Sequence, residues 1–519
     1  MKNIIIIFLL NIIYLFNNLY NLQMLQQNTY NLKLRYFKFQ INDYKKNIIK
    51  IIIKLIMIIS LFFIKLNIIF YIILIIILLN DYINYDKHND KLPLKFTKRV
   101  LRIFSLNLLL LIIMQLFIKN ESINYFVIYN LIFIVLNPFV LIFIVWLLKP
   151  IEKMIYNKYK NKALEKLNKM NNISIIGITG SFGKTSTKMI LNTILKTTYK
   201  GFCTPSSYNT PVGTLLTINQ ESSIFNDYFI SEMGAKCVGD IQELCDLVHP
   251  KYGIITSIGA AHLESFKSIE NVCQTKFELI ESLPSDGIAI LNKDDEYQVN
   301  YRLKNKCRII WIGIKNKADV MAKNIKITNK GTTFDIVFKE KVIKVSTILL
   351  GEKNIYNILA SVALANELNV SEKSIIQGVK NIEPINHRLE IKNINNITLI
   401  DDSFNSNPIG AKNALEVLKL MDGLKIIITP GMIEMGQQQE TLNETFGRQM
   451  AEVCDIIYLV GKNQTKPIYN GLKKMKFKEE NIFICNSFKN AYNEVLTKFG
   501  NDKITILIEN DLPDSYMEG

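Results

Sequence analysis

Between an apolar run and a segment of helical periodicity lies "ITGSFGKTST", Ile178 to Thr187. Glycines at 180 and 183 let backbone amides converge on an oxyanion, and the N-terminus of a following helix adds partial positive charge. Lys184 then reaches the terminal phosphates of a bound nucleotide, and the Thr185 hydroxyl can ligate Mg²⁺. The preceding "NISIIGITG" is short, β-branched and apolar, and the following "KTSTKMILNTILKT" has a helical period, so the loop joins a buried strand to a helix. The strict GxxxxGK[ST] spacing would need glycine at 178, where isoleucine stands; the form here is TGxxGK[ST]. Thr179, Gly180, Ser181, Gly183, Lys184, Thr185 and Ser186 are therefore the expected phosphate-binding residues. A helix N-terminus merely capped by small residues would account for the glycines and serines but not for Lys184.

Other residues could complete such a site. Glu232 closes the apolar "YFISE", and a carboxylate at a strand's C-terminal edge can reach a metal on an adjacent phosphate loop, although an ordinary exposed acid also fits. His262 follows the apolar "YGIITSIGAAH" and is one of four histidines; alone it reads as a hydrogen-bonded surface group. Lys276 in "QTKFELI" reads alone as a solvated helix lysine. In "LNKDD", Asn292 with Asp294 or Asp295 offers hydrogen-bonding groups, or simply a β-turn. Asn354 and Asn357 are three apart at the opening of an apolar helix, hence on one face, and N-capping explains only one of them.

The elements that must hold these residues begin well after the N-terminus. The 519 residues suffice for two or three domains, and a hydrophobic content of 49% can fill sizeable cores. The charge excess of +16 lies largely beside apolar runs in the first third of the chain, where it follows the positive-inside rule and not a polynucleotide partner; nucleic-acid binding is not expected. Residues 3–16 (extending to about Leu19), 101–118 and 123–148 are apolar runs near spanning length. The stretch 48–79 is interrupted by Lys50, Lys54, Lys65 and Asn67. Basic segments at 33–50 and 87–102 both belong on the cytoplasmic side, which requires an even number of crossings between them and favours a hairpin. The expectation is a multi-pass region of about five helices in the cell membrane over 1–150, with the lipid bilayer as a partner. The loop 119–122 is then outside, a basic linker spans 151–171, and everything beyond is cytoplasmic. The first run lacks a small-residue cleavage pattern and reads as a retained anchor. Seven cysteines without a CxxC pair read as small core residues of a reduced compartment.

Beyond 172 the chain is α/β. Strand and helix patterns alternate over 172–313, as in a mostly parallel sheet covered on both faces. Residues 315–350 alternate like antiparallel hairpins with "NKG" as a turn. Strands are expected again near 396–401, 425–430, 455–460 and 503–508, in a Rossmann-like C-terminal domain.

Along this stretch the chain resembles the Mur ligase family, ATP-dependent amide-forming enzymes of peptidoglycan precursor synthesis. The resemblance is carried in order by "GITGSFGKTST", "YNTPVGTLLT" (208–217), "SEMGA" (231–235), "SIGAAHLESF" (257–266), "QTKFELI" (274–280), "LNKDD" (291–295), "GEKNIYNILAS" (351–361), "NHRLE" (386–390) and "IDDSFNSNP" (400–408). The last of these, with "PGMIEMG" (430–436), looks most like the branch that adds D-alanyl-D-alanine to a UDP-linked muramoyl tripeptide. The resemblance implies a P-loop central domain over 172–384 and a C-terminal domain over 385–519. It implies ATP and Mg²⁺, with Thr185 and Glu232 holding the metal between the β- and γ-phosphates and His262 binding a second Mg²⁺. Lys276 would take up CO₂ as a carbamate and become an anionic ligand. Asn292 and the aspartates after it would support the nucleotide-side wall, and Asn354 and Asn357 would face the adenine. Arg388 would contact phosphate, and Asp402 would lie near the ribose once the C-terminal domain closes. The implied chemistry is a carboxylate activated as an acyl phosphate and then attacked by an amine.

The chain departs from this family at its N-terminus, where apolar helices stand in place of the domain that binds the UDP moiety. A UDP-linked precursor and a lipid-linked one both remain open as acceptors, as do D-Ala-D-Ala and another amino donor. Competing readings are a membrane-associated relative acting on lipid-linked muropeptide or of polyglutamate type, a P-loop ATPase driving a membrane process, and a silent scaffold. The relative that acts on lipid-linked muropeptide carries a zinc-type cysteine cluster, absent from this sequence, and the well-formed C-terminal motifs count against the polyglutamate type; a simple motor has no need of Arg388 and Asp402.

Overall fold

A computed structural model describes residues 2–28, 30, 36–37, 40–41, 52, 93–117, 123–170, 172–260, 263–339, 341–404, 406–433 and 435–511. The expected hairpin at 48–79 (residue 52 apart), the loop 119–122 and His262 lie outside the described residues. The chain forms two compact units, one within Met1–Tyr156 and one within Asn157–Leu512.

The first unit contains α1 (Lys2–Gln27), α2 (Lys98–Phe117) and the N-terminal part of α3 (Ile123–Asn168). Among the described residues, two helices are long and apolar enough to cross a membrane, Lys98–Phe117 and Tyr125–Asn168. The three runs read from the sequence are thus helical, and α1 extends well past Leu19. The basic stretch expected as a linker over 151–171 is helical to Asn168: α3 continues through Pro138 and Pro150 into it. That stretch is rich in Lys, a good helix former, adds Glu152, Ala163, Leu164, Glu165 and Leu167, and contains no glycine.

Inside the apolar unit the helices are joined by amides. The Tyr14 hydroxyl donates to Asn107 Oδ1, and Asn107 Nδ2 donates to Asn137 Oδ1 at 3.0 Å. Asn137 Nδ2 reaches Asn17 Oδ1 at 3.1 Å, and Gln115 Nε2 reaches Asn11 at 2.7 Å and Asn130 at 2.9 Å. Such side-chain bonds give apolar helices a fixed register where burial of oil against oil gives little preference.

The second unit holds two sheets. The first is built from β1 (Ser174–Thr179), β2 (Gly201–Cys203), β3 (Tyr228–Glu232), β4 (Tyr252–Ile255), β5 (Ile288–Asn292), β6 (Arg308–Gly313), β7 (Val320–Thr328), β8 (Gly331–Val337) and β9 (Val342–Thr347). Their order is β2-β3-β1-β4-β5-β6-β7-β8-β9. Neighbours from β2 to β7 run parallel, and β7, β8 and β9 are antiparallel. The hairpins expected over 315–350 are therefore present, but they extend the parallel sheet and do not form a layer of their own.

Three helices cover this sheet near the site: α4 (Lys184–Leu195), α5 (Ile269–Glu281) and α6 (Glu352–Glu367). Ile176 and Ile178 of β1 share one apolar core with Ile190, Leu191 and Ile194 of α4 and with Ile355, Ile358 and Leu359 of α6, which packs on α4 and over β5 and β6. On the opposite face Gly177 gives way to α5, since a Cβ there would stand 2.5 Å from Leu279 Cδ1. Strand alternation thus places one helix pair above the phosphate-loop strand and one helix below it.

The second sheet is the Rossmann-like one. It comprises β10 (Glu390–Ile394), β11 (Ile397–Asp402), β12 (Leu424–Thr429), β13 (Ile456–Val460), β14 (Ile482–Cys485) and β15 (Ile504–Glu509) in the order β10-β11-β15-β12-β13-β14. All neighbours are parallel except the β10–β11 hairpin. The four expected strands are present within a residue or so, and β10 and β14 are additional to them. All seven cysteines are free, and five are buried among apolar neighbours.

Candidate active site

The phosphate loop is formed as its sequence requires. Gly180 has φ +147° and Gly183 φ +79°, conformations that side chains rarely adopt, and Gly183 stands at the N-cap of α4. A Cβ on Gly183 would lie 2.6 Å from Asn357 Oδ1, and one on Gly180 would collide with the Thr256 hydroxyl. The loop is stapled to the segment after β4. The Ser181 amide donates to Ser257 O at 2.8 Å, the Ser181 hydroxyl to Gly259 O at 3.0 Å, and the Phe182 amide to Ser257 Oγ at 3.2 Å. The Thr256 hydroxyl closes the set on Phe182 O, and Thr179 donates its own hydroxyl to Met233 O at 2.9 Å. Lys184 Nζ folds back onto Gly180 O at 2.7 Å and Ser181 O at 3.3 Å, so its charge lies in the mouth of the loop.

Glu232 ends β3 beside β1, with Ile178 as its register partner. Its side chain is 1% exposed and is held on two sides: Lys188 Nζ donates to Oε2 at 2.9 Å and Asn209 Nδ2 to Oε1 at 3.3 Å. Lys188 is itself fully buried and also donates to Ser206 O at 2.5 Å. Lys188 and Asn209 were not among the expected site residues. Lys188 follows Lys184 by four on α4, a spacing visible in "KTSTK" that puts both cations on one helix face; Asn209 lies in "YNTP", whose role no local pattern reveals.

Lys276, on α5, is 3% exposed, with its ammonium 5.9 Å from the centre of the Phe266 ring. It is not the solvated lysine its own segment suggests. Burial, with the charge of Lys184 adding to it, lowers its pKa to about 7. Lys184 is lowered to about 8, by burial first and by Arg388 in the same sense, with Glu232 opposing. Cations gathered and withdrawn from water in this way destabilise one another until an anion joins them. The arrangement suits a polyphosphate.

The asparagines of α6 share one face, as their spacing requires: Asn357 Nδ2 lies 3.4 Å from Asn354 Oδ1. Asn357 Oδ1 also accepts the Thr187 hydroxyl at 3.2 Å, and Asn354 Nδ2 donates to Leu350 O at 2.8 Å. Neither is the N-cap, which is Gly351. In "LNKDD" the turn and the wall are one structure. Asn292 Oδ1 accepts the Asp294 amide at 2.9 Å, and Asp295 caps the short helix Glu296–Asn300 while accepting the Ile258 amide at 2.8 Å. Asp294 gathers the amides of Ile314, Lys315 and Asn316 at 2.6–2.9 Å and the Tyr356 hydroxyl at 2.8 Å. Although partial burial opposes it, these donors hold the Asp294 carboxyl below its ordinary range.

The C-terminal domain contributes Arg388, whose Nη2 lies 3.4 Å from Thr185 Oγ1 and whose guanidinium stacks 4.3 Å from the centre of the Phe404 ring. Its neighbours His387 and Leu389 have φ of 61° and 50°, a strained left-handed pair for residues with side chains. Two successive aspartates of β11 hold that turn. Asp401 Oδ2 pairs with His387 Nδ1 at 2.8 Å, and Asp402 Oδ1 accepts the Leu389 amide at 3.2 Å. The "NHRLE" and "IDDSF" motifs are therefore a single device that aims Arg388 at the phosphate loop. His387 and Asp401 are further residues of this device, and the signal for them was their adjacency to the residues already singled out.

A hydroxyl from Thr185, in the first turn of α4, and a carboxylate from Glu232, at the end of β3, are hard oxygen donors of the type Mg²⁺ takes, so the residues present fit that ion. When bound, the ion would neutralise phosphate charge. Loop, oxygen pair, cation cluster and an arginine from a second α/β domain define a P-loop protein built for phosphoryl transfer.

Residues 178–365 match the Mur ligase middle domain, and residues 387–508 match the Mur ligase glutamate ligase domain. The chain is 31% identical over 345 residues to the UDP-N-acetylmuramoyl-tripeptide--D-alanyl-D-alanine ligase of Buchnera aphidicola subsp. Baizongia pistaciae, covering 65% of this chain and 72% of that one. It is 32% identical over 292 residues to the enzyme of that name from Escherichia coli K12, covering 56% and 64%. MurF from Acinetobacter baumannii has the same fold, with a TM-score of 0.63 and 24% identity over 70% of this chain and 78% of that one. MurF ligase from Thermotoga maritima in complex with ADP gives 0.60 and 23% over 69% and 81%. The chain belongs to the Mur ligase family. It spans between 63% and 72% of the length of the first relatives it matches.

Proposed function

We propose that this protein is an ATP-dependent ligase of peptidoglycan precursor synthesis that adds D-alanyl-D-alanine to a muramoyl tripeptide. The observation that carries the reading is the convergence of Lys184, Lys276 and Arg388 on a rigid glycine loop, in a chain whose relatives bear that activity in their names. The tripeptide carboxylate attacks the terminal phosphorus of ATP, ADP leaves, and the amine of D-Ala-D-Ala displaces phosphate from the acyl phosphate with loss of a proton. Lys184 and Arg388 sit where negative charge accumulates in both steps. Thr185 and Glu232 would hold Mg²⁺, His262 would add to a second metal position, and Lys276 as its carbamate would offer another anionic oxygen. An amine that is neutral near pH 7 is the form that reacts with CO₂, and burial brings Lys276 into that range.

Asn354 and Asn357, on the helix that backs the loop, form the adenine side of the site, and Asp402 acts through the Arg388 turn. The apolar helices anchor the ligase in the cell membrane as a multi-pass protein with its catalytic unit in the cytoplasm. Their length and apolar character support this, as does the basic stretch that follows them. That location favours trying a lipid-linked acceptor beside the UDP-linked one.

The test incubates detergent-solubilised protein with ATP, D-Ala-D-Ala and either acceptor, following ADP, phosphate and the new amide. One ADP and one phosphate per amide are expected. Phosphate release at full rate without an acceptor would overturn the reading in favour of an ATPase.

A further inference from the structure

We propose that Glu509 is a positioning residue of the nucleotide site: it carries the one proton that it shares with Asp402 and keeps Asp402 the anion that fixes the Arg388 turn over the phosphate loop. The proposal rests on the ligase reading above. It concerns a residue one position beyond the stretch that matches the family.

Asp402 and Glu509 are the final residues of β11 and β15, which run parallel and pair them in register. Register partners on adjacent parallel strands direct their side chains to the same face, so two carboxyl groups stand side by side at the carboxyl edge of the sheet. Glu509 is 1% exposed. The Ser406 hydroxyl donates to its Oε1 at 2.6 Å, while Oε2 is buried with no donor among the described residues. An ionised Glu509 would leave that oxygen unmatched, at a cost of several kcal/mol. As a carboxylic acid it has a hydroxyl to give, and its register partner Asp402 is the acceptor beside it.

Two carboxyls side by side, Glu509 buried and Asp402 half-buried, do not both ionise readily. Asp402 takes the charge because it accepts the Leu389 amide and faces the guanidinium of Arg388. Glu509 faces Asp402 and Ser406, and no cation among the described residues acts on it. The other charged group near the pair, Asp401, is the next residue on β11; its side chain points to the opposite face and is engaged with His387. Burial pushes the Asp402 carboxyl up to about 6 against the pull of Arg388, and burial with the Asp402 charge pushes Glu509 well above the ordinary carboxylate range.

Both carboxyls bind protons more tightly in the folded than in the unfolded chain. Their contribution to stability is therefore greatest at low pH and falls as pH rises from the ordinary carboxylate range through about 6 and beyond.

The experiment compares full-length wild type, Glu509→Gln and Glu509→Ala for ADP affinity, for ligation kcat and KM, and for thermal midpoint between pH 5.5 and 9. Glutamine still donates to Asp402 but has no proton to lose, so its midpoint should gain on the wild type steadily as pH rises, with kcat close to wild type at pH 7. Alanine removes the donor and should lower kcat on the order of 10-fold while ADP still binds, because a misaimed Arg388 affects the transferring phosphoryl group most. A pH-independent offset between Glu509→Gln and wild type, or an alanine variant with unchanged kcat, would overturn the proposal. Wild type that binds ADP without ligating would instead refute the ligase reading, and the midpoint comparison would still decide the role of Glu509.

Discussion

Lys188→Met is the substitution whose effect the structure fixes best. The Lys188 ammonium is fully buried against a 1% exposed Glu232 and makes no compromise with solvent. Methionine fills the same length without charge, leaving Glu232 with Asn209 as its remaining side-chain donor. Breaking one side of a buried ion pair costs about 3–5 kcal/mol, most of it the penalty of an uncompensated carboxylate. Spread over a domain of roughly 200 residues, that is a fall of roughly 6–20 °C in thermal midpoint. Replacing both partners removes the stranded charge, so Lys188→Met with Glu232→Gln should be more stable than Lys188→Met alone. The coupling between the two sites should approach the upper part of the ~0.5–3 kcal/mol range of contacting pairs. Thermal unfolding of the four proteins, followed by circular dichroism, gives the cycle. A single variant within about 2 °C of wild type, or additive effects, would refute the claim that Lys188 compensates Glu232.

Arg388→Ala should lower kcat by on the order of 10²-fold or more while changing ADP affinity only a few-fold, since the guanidinium faces the Thr185 end of the loop; calorimetry and steady-state kinetics separate the two. Gly183→Ala forces φ +79° on an alanine and drives its Cβ to 2.6 Å from Asn357 Oδ1, so ATP affinity should fall at least 10-fold in equilibrium titration. Tyr356→Phe removes one of four donors to Asp294 and should destabilise the domain by about 1.5–3 kcal/mol in denaturant unfolding, with kcat retained.

What was legible in the sequence was what short-range chemistry determines. The phosphate loop could be read because the backbone angles at Gly180 and Gly183 admit few other residues and because Lys184 has no role in a plain helix cap. The strands of both sheets could be read from β-branched runs such as "SIIGIT" and "LKIIIT". That the basic stretch after residue 150 continues a helix was less legible, since its lysines mark a cytoplasmic flank while Ala163 and Leu167 become buried only in the fold. The burial of Lys276 is not legible in its own segment, since nothing within α5 shows that the ring of Phe266 lies over its ammonium. Lys188 with Glu232, and Asp402 with Glu509, join residues 44 and 107 positions apart by pairings that only tertiary structure creates.

The position of β15 bears on how the protein is made. It lies between β11 and β12, so the strands on either side of it are not hydrogen-bonded to each other without it. Until the residues up to 509 have been made, β11 and β12 lack the strand that pairs with both, and the carboxyl-terminal sheet cannot close. The facing edges of β11 and β12 are until then unpaired, and an unpaired edge is a template for a wrong strand.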